Sequence, residues 1–254
     1  MDLKIFLGWL ALNVGLLALI LVIIRGWLST RPMTGAVLAK RLEKETSADG
    51  QRPDFTPGEI AFLLRETGKP SEGRLLTALL ADWHGRGIIT CEMAPKKRLV
   101  SYGDDMQPTL AFTEAQLLRG GAEDALAELF RGACTDGTLQ SSEGYNWAQA
   151  HAQELQNALR RYEAEGRAYL RREGAIRPDT KKKLFGMSGG ERLIYTPRGQ
   201  RRALAMRRWE NHLRESPETS LPDALLFGYG APPQPLGRFC EYLTKGFTAG
   251  LARR

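Results

Sequence analysis

Cysteine and histidine are scarce in this chain. Cys91, Cys134 and Cys240, and His84, His151 and His212, are three of each in 254 residues, far apart and in no ligand-like spacing. An odd number of scattered cysteines excludes a disulfide framework and suits free thiols in a reducing compartment. Isolated histidines give no zinc site. A P-loop, a dinucleotide fingerprint and a metal-binding helix pair are also missing. One G-x-S-x-G match, Gly186-Met187-Ser188-Gly189-Gly190, follows a lysine run and precedes an expected strand, with only His212 downstream. A nucleophile elbow needs a strand before it, a helix after it, and an acid then a histidine later, so a glycine-rich hairpin tip accounts for these residues better. No catalytic, cofactor-binding or metal-ligating residue is assigned, and the chain reads as a non-enzyme without cofactors.

Charge is missing from Ile5 to Ile24, IFLGWLALNVGLLALILVII. As a helix at about 1.5 Å per residue this run would cross roughly 30 Å of hydrocarbon. It is too long for the core of a signal peptide, and bulky Arg25-Gly26-Trp27-Leu28 follows where a cleavage site would need small residues. Trp9 and Trp27 fall at the expected interfaces. Lys4 stands against Arg25, Arg31, Lys40, Arg41 and Lys44, which places the amino terminus outside and the remainder in the cytoplasm of a bacterial inner-membrane protein. Gly8, Ala11, Gly15 and Ala18 form a small-residue stripe on which a second helix could pack, either another protein's or that of a second copy.

The whole chain is 43% hydrophobic, and what lies beyond the run is enough for a folded body. Thr56-Pro57-Gly58-Glu59 is a capping box with proline at the first helical position. Leu75, Leu76, Leu79, Leu80 and Trp83 recur at helical spacing, with Gly85 and Gly87 as stops. Strands at Ile88–Glu92 and Leu99–Tyr102 around a turn at residues 94–97 complete a winged-helix-like unit. Its last helix offers one Arg against one Asp outward, a poor phosphate-binding face. A second such unit is read from the capping box at Thr113–Gln116, a helix carrying Leu126, Leu129 and Phe130, and a long helix from Trp147 to Gly166. Strands at Ala168–Arg172 and Arg192–Thr196 follow, then a helix starting at Thr196-Pro197. The tail keeps Leu236, Phe239, Leu243 and Phe247 on one face, fit to dock on the body or to lie on a membrane.

Charge is unevenly distributed: residues 160–208 hold fifteen Lys or Arg against five acids, so this segment carries +10 of a net +7. Arg171, Arg172, Lys181, Lys182, Lys183, Arg198, Arg201, Arg202, Arg207 and Arg208 therefore form a candidate basic interaction surface, for anionic lipid or, less readily, nucleic acid.

The stretches TPGEIAFLL, RLLTALLADWHGRGIIT, FTEAQLLRG, ALAELFRG, LRRYEAEGRAYL, TPRGQRRALAMRRWENHL and LPDALLFG resemble, in this order, the cytoplasmic part of a bacterial predicted-membrane-protein family, domain of unknown function 2207, over Phe55 to Gly228. That family's large extracytoplasmic domain and inner spanning helices have no counterpart here, and the resemblance implies no catalytic residues.

The expected architecture is mainly α with small β-hairpins (α+β): one transmembrane helix followed by two tandem winged-helix-like units. Residues 1–4 are an external terminus, 5–24 the spanning helix, 25–54 a juxtamembrane segment and linker, 55–105 and 106–216 the two units, and 217–254 the tail. The expected function is that of a protein-interaction or scaffold module, with a membrane-anchored nucleic-acid-binding regulator or a lipid-binding domain as alternatives.

Overall fold

Thr56 starts the body as its sequence requires. Its hydroxyl accepts from the Glu59 N–H at 3.2 Å and the Glu59 carboxylate accepts from the Thr56 N–H at 3.0 Å, which satisfies two of the free donors at the start of the helix Pro57–Glu66. The computed structural model describes residues 13–23, 32–68, 72–96, 105–113, 120–179 and 193–253. In chain order the elements are β1 (Met33–Thr34), α1 (Gly35–Glu43), α2 (Pro57–Glu66), α3 (Glu72–Gly85), β2 (Ile89–Pro95), β3 (Met106–Phe112), α4 (Ala122–Ala133), β4 (Thr138–Gln140), α5 (Ser141–Ala150) and α6 (Ala152–Arg172). They continue with β5 (Ile176–Pro178), β6 (Leu193–Tyr195), α7 (Pro197–Glu215), a 3-10 turn at Pro217–Ser220, α8 (Leu221–Phe227) and α9 (Leu236–Ala252). The α+β content matches the sequence reading, but two parts of the expected architecture do not.

The first correction concerns the membrane. Among the described residues no helix is long and apolar enough to cross one. Residues 13–23 are helical and exposed, but at about 1.5 Å per residue they extend only about 16 Å. Residues 5–12 and 24 of the expected span lie outside the described residues. The single-pass architecture and the inner-membrane location with the amino terminus outside are therefore not supported.

The second correction concerns the tandem units. Two antiparallel sheets form, in the orders β2-β3-β4 and β1-β6-β5. Met33 pairs with Tyr195, so residues before the expected first unit complete the sheet of the second. Cys91 of the expected first unit pairs with Leu110 of the second, so the other sheet also crosses the expected boundary. The buried side chains, from Leu38 to Phe247, belong to one core. The chain thus interleaves its halves around a shared interior, and two separate winged-helix-like units do not describe it.

Local differences follow from packing. The partner of β2 is Met106–Phe112, with Cys91 opposite Leu110 and both buried; the expected strand at Leu99–Tyr102 lies outside the described residues. Pro108 argues against a strand there, yet it stands outside the Thr109–Ala111 segment that β4 covers. Helix α6 does not stop at Gly166, because that glycine is a crossing point: a Cβ there would lie 2.3 Å from the carbonyl carbon of Gly58 on α2. The helix runs on to Arg172 and ends in a Schellman motif. Gly174 takes φ 65°, its N–H donates to Arg171 O at 3.0 Å, and Ala175 N–H donates to Leu170 O at 2.8 Å. The long helix expected from Trp147 is broken at His151, whose ring stacks on Trp147 with centroids 5.4 Å apart.

The tail docks on the body. Leu236, Phe239, Cys240, Leu243 and Phe247 of α9 are buried. Cβ atoms at Gly246 and Gly250 would lie 2.2 and 2.4 Å from the Tyr145 and Gln149 carbonyl oxygens, so α9 and α5 cross at backbone contact.

Candidate functional site

The basic surface expected from the sequence is in large part an ion-paired one. On α7, Arg202 reaches Glu59 at 2.7 Å and the Asp54 carbonyl at 2.8 Å, with its guanidinium 4.6 Å above the Phe55 ring. Arg207 meets Glu210 at 2.7 Å, Arg208 meets Glu45 at 3.5 Å, and Arg198 pairs with Glu173. Arg201 is exposed on the same helix, and Arg171 and Arg172 are exposed at the end of α6, Arg172 lying 5.3 Å over the Tyr169 ring. Lys181, Lys182 and Lys183 lie outside the described residues, as do Gly186–Gly190 of the G-x-S-x-G match and Glu114–Gln116 of the second capping box. Of the small-residue stripe, Gly8 and Ala11 are likewise outside; Gly15 and Ala18 are exposed on the helical residues 13–23.

Several of these pairs are staples through the core. Glu59, Glu123, Glu163, Glu210 and Asp223 are each 3% exposed or less, and each meets an arginine: Arg202, Arg86, Arg65, Arg207 and Arg52. Glu123 also accepts from the Trp83 indole at 2.8 Å, and Asp223 from the Trp209 indole at 3.1 Å. A buried carboxylate costs several kcal/mol unless it is paired and hydrogen-bonded, so these arginines are committed to the fold. Burial raises the Glu59 carboxyl above the ordinary glutamate value, against the downward pull of the Thr56 N–H and Arg202. Among the described residues no group of His, Cys, Asp or Glu is arranged to hold a metal ion.

Two concave regions among the described residues are of several hundred Å³. One, of about 720 Å³, lies beside the start of α2 and includes Arg52, Phe55, Tyr162, Glu165, Tyr169 and Arg172. Two of its charges are already used internally, since Glu165 accepts from the Ala122 N–H at 2.9 Å at the start of α4 and Arg52 meets Asp223 at 2.7 Å, while Arg172 is exposed over the Tyr169 ring. The other, of about 860 Å³, is an open groove between α3, α9 and the loop after α8. Small residues line it: Gly73 and Thr77 on α3, and Cys240, Thr244, Thr248 and Ala252 at four-residue intervals on α9. At its floor the helices nearly touch, since a Cβ at Gly73 would lie 3.2 Å from the Thr244 methyl.

Two of the groove's three threonine hydroxyls are bonded within their own helices. The Thr77 hydroxyl donates to Gly73 O at 3.1 Å and the Thr248 hydroxyl to Thr244 O at 2.9 Å, so both are turned back on their own helices. The buried Cys240 thiol is pushed up to about 12 by desolvation, with Cys91 adding to it, and stays protonated and inert near neutral pH. Charge sits on the rim: Arg74 on one wall, and Glu241 with Lys245, 2.7 Å apart, on the other.

Sequence reasoning missed this groove because it took α9 for its large apolar face alone. The row Cys240, Thr244, Thr248, Ala252 on its other side was the available signal. No protein-family model, no curated protein and no solved structure matches the chain, so a functional reading rests on its own geometry.

Proposed function

We propose that this chain is a protein-interaction module that docks an apolar segment of a partner protein in the groove between α3 and α9. The observation that carries this reading is the groove's chemistry: a large open trough lined mainly by small apolar atoms, with the Thr77 and Thr248 hydroxyls satisfied within their own helices. Such a surface gains from apolar contact and offers little to a sugar or a base edge, which need free donors and acceptors. The carboxylates engaging Arg198, Arg202, Arg207 and Arg208 reduce what α7 offers to phosphate, so the nucleic-acid and lipid readings have less support.

The test is binding of a fluorescein-labelled amphipathic peptide with leucines at i, i+3, i+4 and i+7 to the full chain and to Thr248→Trp. Thr248 is exposed on the groove wall, so an indole there occupies the trough while the core is left alone. Saturable binding weakened at least tenfold in the variant, with unchanged circular dichroism, supports the module. Equal binding by both proteins overturns it.

A further inference from the structure

The two long walls of this groove are the helices α3 and α9, and that decides the form of what it takes. Among the described residues no strand of either sheet lines it, so an extended peptide would find no ladder there for its backbone N–H and C=O groups. A helix satisfies its own backbone and needs only side-chain contact. The row from Gly237 to Ala252 is about 22 Å long at about 1.5 Å per residue, the length of a four-turn helix. Small residues along both walls let such a helix approach closely.

The rim decides its charge. Arg74 is exposed, and its Nη1 donates to the Phe227 carbonyl at 3.2 Å, at the end of α8. A Cβ on the next residue, Gly228, would lie 2.7 Å from the Arg74 Cζ, so the absence of a side chain there lets the guanidinium seat against that helix end. The head group is thereby fixed at the groove's edge with further N–H donors of its five to offer. On the opposite wall Lys245 and Glu241 neutralise each other, which leaves the rim one positive charge in excess.

Resting on the reading of the groove as a docking site, we infer that its occupant is a four-turn amphipathic helix with carboxylates flanking its apolar face, one of which meets Arg74. A planar guanidinium held at one edge accepts a carboxylate in two-point geometry, which sets the direction in which the helix lies.

Three peptides with the same leucine face test this: one flanked by glutamates, one by lysines, and one glutamate-flanked with a central proline. Each is titrated into the full chain, Arg74→Gln, Thr248→Trp and, as a second blocked groove, Ala249→Trp, at 50 and 500 mM NaCl. The glutamate peptide is expected to bind at least tenfold tighter than the lysine peptide at low salt, with the gap narrowing at high salt and in Arg74→Gln. The proline peptide is expected to lose binding. Equal affinity for both flanks, or undiminished binding of the proline peptide, overturns the inference while tryptophan-blocked binding still upholds the groove. Binding insensitive to both tryptophans overturns the groove reading as well.

Discussion

Replacing Arg202 with Met strands a charge. Glu59 is 1% exposed and Arg202 is its charged partner at 2.7 Å, while methionine keeps much of the apolar stem and gives up the guanidinium that lies over Phe55. Removing one member of a buried pair costs about 3–5 kcal/mol. Because the Arg202 side chain is 20% exposed and water can reach the vacated edge, the lower end, about 3 kcal/mol, is expected. In a chain of this size that is a fall of roughly 6–12 °C in Tm. The pH dependence identifies the mechanism. Burial already holds the Glu59 carboxyl above its ordinary value, so between the unfolded and the folded value the folded state keeps a proton that the unfolded state has lost. Its stabilising contribution is complete below the unfolded value and is lost as pH rises through the folded one. Without Arg202 the folded value moves higher still and that window widens. The deficit relative to the parent should therefore be smaller near pH 4 than at pH 7.5, read from urea midpoints at both. Arg198→Met, which loses a pair whose arginine is 54% exposed, should cost no more than about 0.5 kcal/mol. A deficit under about 1 kcal/mol at pH 7.5, or one equal at both pH values, would refute the reasoning.

Gly166→Ala should destabilise by about 3 kcal/mol or more, since the added methyl meets Gly58 backbone at 2.3 Å and no side chain can yield; chemical denaturation of the purified variant measures it. Thiol labelling of the native chain at pH 8 should modify Cys134 alone: Cys91 and Cys240 are buried, with pKa values raised to about 11 and 12, and all three should label in denaturant. Fast labelling of Cys240 in the native state would mean that α9 is not docked as described.

What the sequence by itself determined is local. Thr56 and Glu59 lie three residues apart and cap each other whatever surrounds them; Thr196 accepts from the Gly199 N–H at 3.3 Å in the same way. The stripe Leu75, Leu76, Leu79, Leu80, Trp83 lies on one side of α3 by helical geometry alone, and the face Leu236, Phe239, Leu243, Phe247 of α9 likewise. What only the tertiary structure decided depends on partners far along the chain. A glycine near the end of an apolar stripe reads as a stop, and Gly166 became a crossing point only because Gly58 arrives there. A run of arginines reads as a free basic surface, but Arg202 finds Glu59 and Arg52 finds Asp223, 143 and 171 residues away. The two- and three-residue strands β1 and β4 carry no periodicity of their own and form because each half of the chain supplies an edge to the other's sheet. The groove is the same kind of feature: Gly73 and Thr244 are ordinary residues on their own helices, and a trough exists only where those helices meet with small side chains such as these between them.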